Sequence, residues 1–138
     1  MPKFRLAALA LPATVLALAA GASPAVAAID TDQVYAATTG VKVQGTLSWL
    51  DFAGHIEFNV VVSDTLVDGR CADLYVRQRN PAVSSGWSYI GHACGGGTAV
   101  RFARRNIPFQ GGTSGYDFRI TRSEGGPSAY DYNALMGD

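Results

Sequence analysis

The 138-residue chain has little of what enzymes and nucleic-acid-binding proteins ordinarily use. It holds two cysteines, Cys71 and Cys94, and two histidines, His55 and His92. There is no CxxC pair and no Cys/His spacing for zinc, and two cysteines supply too few ligands for a structural site. GxSxG, HExxH, the P-loop and the dinucleotide fingerprint are all missing. Residues 112–115 (GTSG) lack the spacing of a nucleophile elbow, and Gly95-Gly96-Gly97 reads as a turn rather than a phosphate cradle. No D-x-D-x-D-G calcium array and no N-x-S/T sequon occurs. Net charge is missing too, with eleven basic residues against eleven acidic ones. Such a chain lacks the positive field that nucleic acid or an anionic membrane surface selects.

What is present begins at the N-terminus. Lys3 and Arg5 precede an apolar run over residues 6–20, broken once by Pro12. Gly21, Ser23 and Pro24 follow, then the small-residue site Ala25-Val26-Ala27. This is the layout of a secretory signal peptide with A-x-A processing. The run is shorter than the ~20 residues a membrane-spanning helix needs. Residues 1–27 are therefore expected to be removed, leaving a secreted, extracellular domain with no membrane association. Beyond them stand eight arginines but only one lysine, Lys42.

After residue 27 no helical period appears. Residues 28–40 are polar and weakly patterned, and are expected to form an extended, mobile N-terminal segment. From Val41 the period becomes two. Val41, Val43, Gly45, Leu47 and Trp49 share one face, and Lys42, Gln44, Thr46 and Ser48 the other. Residues 51–54 read as a turn. Ile56, Phe58, Val60 and Val62 then alternate with polar neighbours. A hairpin sets Trp49 opposite Ile56 and Leu47 opposite Phe58, so the two apolar faces coincide.

Residues 71–79 and 86–94 form a second hairpin. Pairing Arg79 with Gly86 and counting back sets Val76 opposite Tyr89, Tyr75 opposite Ile90, Leu74 opposite Gly91 and Asp73 opposite His92. Cys71 arrives opposite Cys94, within reach of a disulfide. This register places Trp87 and Tyr89 in the core with Trp49, Phe58, Phe102 and Phe118. Two further strands follow, around 98–105 and 116–121. Residues 128–138 read as a flexible tail, in which Tyr130 and Tyr132 could add an edge strand, as could Tyr35 in the lead-in. Six to eight short strands with Gly-rich turns define an all-β fold, an antiparallel β-sandwich (immunoglobulin-like) or small barrel, over residues 41–138.

No catalytic residue, metal ligand or cofactor is assigned. His55 with Glu57, and His92 with Asp73, would make a metal site or a His–carboxylate dyad only if the two pairs met. Asp64 and Asp68 bracket a turn, and Asp30 and Asp32 lie in the lead-in; all four read as turn or solvation residues. The binding candidates are Tyr75, Arg77, Arg79, Arg101 and Arg119, an Arg/Tyr surface suited to protein contacts or sugar stacking. Ile29, Val34 and Tyr35, the apolar residues of the lead-in, would serve in strand addition to a partner.

The stretch 41–122, with VSDTLVDGRCADLYVR (62–77) and YDFRITRSEGG (116–126), resembles the small secreted β-domain proteins common in Streptomyces and related actinobacteria. The plan of signal peptide, extended segment and compact β-domain is similar to that of the adaptor subunit of umbrella toxin particles. That resemblance implies a non-enzymatic adaptor joining a lectin-like subunit to a toxin stalk, with residues 28–40 as the extension. It is one of plan, so it assigns no individual site residue. The partner expected is another secreted protein. The competing readings are an inhibitor of an extracellular hydrolase, presenting loop 80–85 or 106–115, and a small carbohydrate-binding module.

Overall fold

The computed structural model describes residues 28–50, 55–81, 86–108 and 112–134. The expected signal peptide, the turn at 51–54 and the last residues of the tail lie outside them. Eight antiparallel strands are present among the described residues: β1 (Ala28–Thr38), β2 (Val41–Leu50), β3 (His55–Asp64), β4 (Cys71–Arg79), β5 (Ser88–Cys94), β6 (Ala99–Pro108), β7 (Gly115–Arg122) and β8 (Ser128–Ala134). They form two four-stranded sheets, β1-β2-β3-β6 and β5-β4-β7-β8, packed as a β-sandwich. No helix of the described residues is long and apolar enough to cross a membrane.

Period-two patterning builds the core directly. Val41, Val43, Leu47 and Trp49 of β2 face Ile56, Phe58, Val60 and Val62 of β3 on the inner side, in the expected register. Ala72, Leu74 and Val76 of β4 and Phe118 and Ile120 of β7 close the core from the second sheet. Phe58 meets Phe118 edge to face at 5.5 Å and Tyr116 at 5.9 Å. Full burial of each such large side chain stabilises the fold by roughly 1.5–3 kcal/mol. Burial also holds the Tyr116 phenol well above its ordinary range. At Gly91 a Cβ would come within 2.4 Å of the Phe102 ring, so the absence of a side chain lets β6 pack onto β5.

The structure corrects the expectation of a mobile lead-in. Residues 28–38 are β1, paired with β2 along its whole length, with Thr38 opposite Val41. Val34 and Ala36 enter the core, so two inward side chains together with the pairing to β2 hold the strand. The tail is corrected likewise. Residues 128–134 are β8, paired with β7, and Asp131 Oδ2 accepts the Tyr35 backbone N–H at 2.9 Å. That contact satisfies a main-chain donor where the edges of the two sheets meet.

Asp64 is buried and structural. Its carboxylate accepts the backbone N–H of Leu66 at 3.2 Å and of Gly95 at 2.9 Å, tying two loops together. Asp68 pairs with Arg122 and accepts the Arg70 N–H.

Candidate functional site

The Cys71–Cys94 disulfide forms as the hairpin register requires, with Cα atoms 4.3 Å apart. From there Ala72 to Leu74 pair with Ala93 to Gly91 as expected. Beyond Leu74 the register slips by one. Tyr75 lies opposite Tyr89 rather than Ile90, and Val76 opposite Ser88 rather than Tyr89. Ile90 is the extra residue of a β-bulge, and a one-residue slip moves every following side chain to the other face. Ile90 turns in against the core, while Tyr89 turns out and is 52 % exposed. Trp87 leaves the core with it. The expected core placement of Trp87 and Tyr89 is therefore wrong, and the bulge is the cause.

The outward rings meet the arginines of β4 and β7. One row crosses all four strands: Tyr89, Tyr75, Arg119 and Tyr130 are successive cross-strand partners. The Tyr75 and Tyr89 rings lie 5.4 Å apart. The Arg119 guanidinium sits 4.2 Å from the Tyr75 ring centre and 5.0 Å from that of Trp87. Trp87 also receives Arg77 at 4.5 Å and packs 5.9 Å from Tyr130, which stacks on Tyr132. A cation over an aromatic face contributes about 0.5–2 kcal/mol, more as it is desolvated.

Asp117, between Arg77 and Tyr132 in the next row, has a side chain with 0 % exposure although it points away from the core. Arg77 Nε donates to its Oδ2 at 3.0 Å, and Arg79 Nη2 lies 3.2 Å from Oδ1 as a charge contact without hydrogen-bond alignment. Arg79 also donates to the Asn133 carbonyl. At the far end the Tyr89 hydroxyl and His92 Nδ1 are 2.5 Å apart, and Asp73 lies opposite His92. Partial burial raises the Tyr89 phenol, aided by Asp73 and Tyr75. Burial also raises Asp73, against the pull of His92.

The sequence candidates thus fall into two groups. Tyr75, Arg77, Arg79 and Arg119 converge on the outer face of β5-β4-β7-β8. Tyr35 and Arg101 belong to the other sheet, at the ends of one row across β1-β2-β3-β6. Val34 is 2 % exposed and serves the core, which removes it as a contact residue. Ile29 stands where the β1–β2 register is irregular. His55 and Glu57 lie on β3, in the sheet opposite that of Asp73 and His92, so the two pairs do not meet. No cluster of three or more metal-ligating side chains occurs among the described residues. Both loops expected of an inhibitor fall partly outside the described residues. Trp87, Tyr89, Tyr130 and Tyr132 join this surface although the sequence pattern did not assign them to it. The i, i+2 spacing of Tyr130 and Tyr132 already put them on one face; for Trp87 and Tyr89 only the bulge decides which face.

No protein-family model, curated protein or solved structure matches the chain.

Proposed function

We propose that the chain is a secreted, non-enzymatic β-domain that binds another extracellular protein through the outer face of β5-β4-β7-β8. The observation that carries this reading is the Arg–aromatic row across all four strands. Tyr, Trp and Arg are the side chains that dominate binding energy at protein interfaces. Here they are held in place before a partner arrives, which lowers the ordering cost of association. The partner surface is acidic. Arg77 and Arg79 share the single carboxylate of Asp117, and Arg119 Nε is buried with no hydrogen-bond partner among the described residues. The most concrete role is an adaptor subunit in an extracellular antibacterial toxin complex, as the resemblance of plan implies.

The test is recovery of the tagged full chain from culture medium with whatever binds it stoichiometrically. A secreted partner retained by wild type and by Gln44→Ala, but bound at least tenfold more weakly by Tyr89→Ala and Arg119→Ala, supports the reading; tenfold is about 1.4 kcal/mol. A partner that binds all of these equally rejects this face as the interface.

A further inference from the structure

The outer face of β1-β2-β3-β6 carries a second site of different chemistry. A trench of about 610 Å³ is lined there by Gln33, Tyr35, Gln44, Thr46, Asn59 and Arg101. This lies within the range of small-ligand sites. Two cross-strand rows form its walls. Tyr35, Gln44, Val61 and Arg101 are successive partners across all four strands, and so are Gln33, Thr46 and Asn59 across three. At Gly45 a Cβ would lie 2.1 Å from the Asn59 carbonyl oxygen, so β2 approaches β3 closely only because that residue is glycine.

The side chains of Gln33, Gln44, Thr46, Asn59 and Arg101 make no hydrogen bond or ion pair with another described residue. The trench therefore gathers three carboxamides, a hydroxyl and a guanidinium with their bonding capacity unused. No carboxylate of the described residues lines it. Carboxamides and hydroxyls each donate and accept, as the hydroxyls of a sugar do. Tyr35, 61 % exposed, adds an aromatic face at one end. A peptide is a poorer fit. The trench crosses β2 and β3, whose main-chain groups are already paired on both sides, so an extended peptide gains no main-chain ladder there.

We infer that this trench binds an oligosaccharide carrying a carboxylate, with the acid on Arg101, the hydroxyls on Gln33, Gln44, Thr46 and Asn59, and one ring against Tyr35. With no carboxylate pair to flank a glycosidic bond among the described lining residues, the trench is read as a binding site and not as a two-carboxylate hydrolase site. The inference does not rest on the protein-binding reading of the opposite sheet.

Calorimetric titration of the full chain with tetragalacturonate, a hyaluronan tetrasaccharide and an alginate tetrasaccharide tests it, with cellotetraose and polyglutamate as comparisons. At least one acidic tetrasaccharide should bind, remain intact, and bind at least tenfold more weakly to Gln44→Ala and to Arg101→Ala. Trp87→Ala, on the other sheet, should bind it like wild type. Both trench residues are at the surface, so loss of folding does not confuse the result. Binding by none of the three acidic sugars overturns the inference. So does cellotetraose or polyglutamate binding as tightly as the best of them, or affinity unmoved by either trench substitution.

Discussion

The two outer faces of the sandwich have the same architecture and opposite economies of contact. Each carries a cross-strand row of four side chains that begins at a tyrosine and includes an arginine. On β5-β4-β7-β8 the side chains satisfy one another: Arg119 lies over Tyr75 and Trp87, Arg77 and Arg79 hold Asp117, and Tyr89 holds His92. On β1-β2-β3-β6 the trench amides and Arg101 touch no polar side-chain partner among the described residues. A similar pattern of outward polar and aromatic residues thus yields either a pre-ordered surface or an open one. Which of the two forms depends on whether a cation finds rings and a buried carboxylate within its reach. A pre-ordered surface suits a large, flat partner, and an open trench suits a small ligand that brings its own hydrogen-bonding groups.

If that contrast is right, stability resides in the first face far more than in the second. The largest effect should come from the disulfide, which staples only the β4–β5 hairpin. Replacing Cys71 and Cys94 together by serine should lower unfolding free energy by about 3 kcal/mol, given a 23-residue separation. Urea denaturation would measure it, and a loss under about 1 kcal/mol would show that the hairpin holds without its staple. Next comes Asp117→Ala. Removing one partner of a buried ion pair costs about 3–5 kcal/mol; here both arginines are partly exposed, so about 2 kcal/mol is expected. Gln44→Ala, the matching change on the open face, should stay within about 0.5 kcal/mol. Comparable losses from the two would erase the contrast.

The same contrast shows what the sequence could reveal. Strands β2, β3, β4 and β7 were legible because a period of two with one buried face admits a single register. The disulfide was legible because the two cysteines and the hairpin pairing agree. The two outer edges were not. Among its described side chains β1 sends only Val34 and Ala36 into the core, and β8 presents Tyr130 and Tyr132 outward, so neither strand shows a long alternating apolar face. The Arg–aromatic site was half legible. Tyr75, Arg77, Arg79 and Arg119 follow from alternation along β4 and β7. Trp87 and Tyr89 do not, because a bulge at Ile90 inverts their face and nothing in the residues 86–94 marks where an extra residue sits. The trench was hidden for another reason: Tyr35 and Arg101 stand on edge strands 66 positions apart, and only the strand order brings their row together.

A smaller effect tests whether the ordered face is coupled rather than merely crowded. A double-mutant cycle of Trp87→Ala and Arg119→Ala should give a coupling of about 0.5–1 kcal/mol, the scale of a cation over a ring at a half-exposed site. The corresponding cycle of Gln44→Ala and Arg101→Ala should give none, since those side chains do not pair. Additive behaviour in the first cycle would mean that Arg119 and Trp87 are neighbours without mutual attraction.

The smallest effect concerns the end of the ordered face, where two influences on Asp73 oppose each other. Burial raises its carboxyl above the ordinary value of 3.8, and the neighbouring His92 pulls it back. With burial the larger influence, the folded state holds the Asp73 proton more tightly than the unfolded chain does. Ionised Asp73 therefore disfavours the fold at neutral pH, and that penalty fades as pH falls through the raised value toward 3.8. Asp73→Asn should accordingly be slightly more stable than wild type at pH 7, and the difference should close as the solution is acidified toward pH 4. Thermal denaturation of both proteins across that range decides the matter. A variant less stable than wild type at pH 7, with the gap closing on acidification, would mean that the attraction to His92 outweighs burial. The Tyr89–His92–Asp73 end of the row would then act as an ion pair rather than as a desolvated carboxylate.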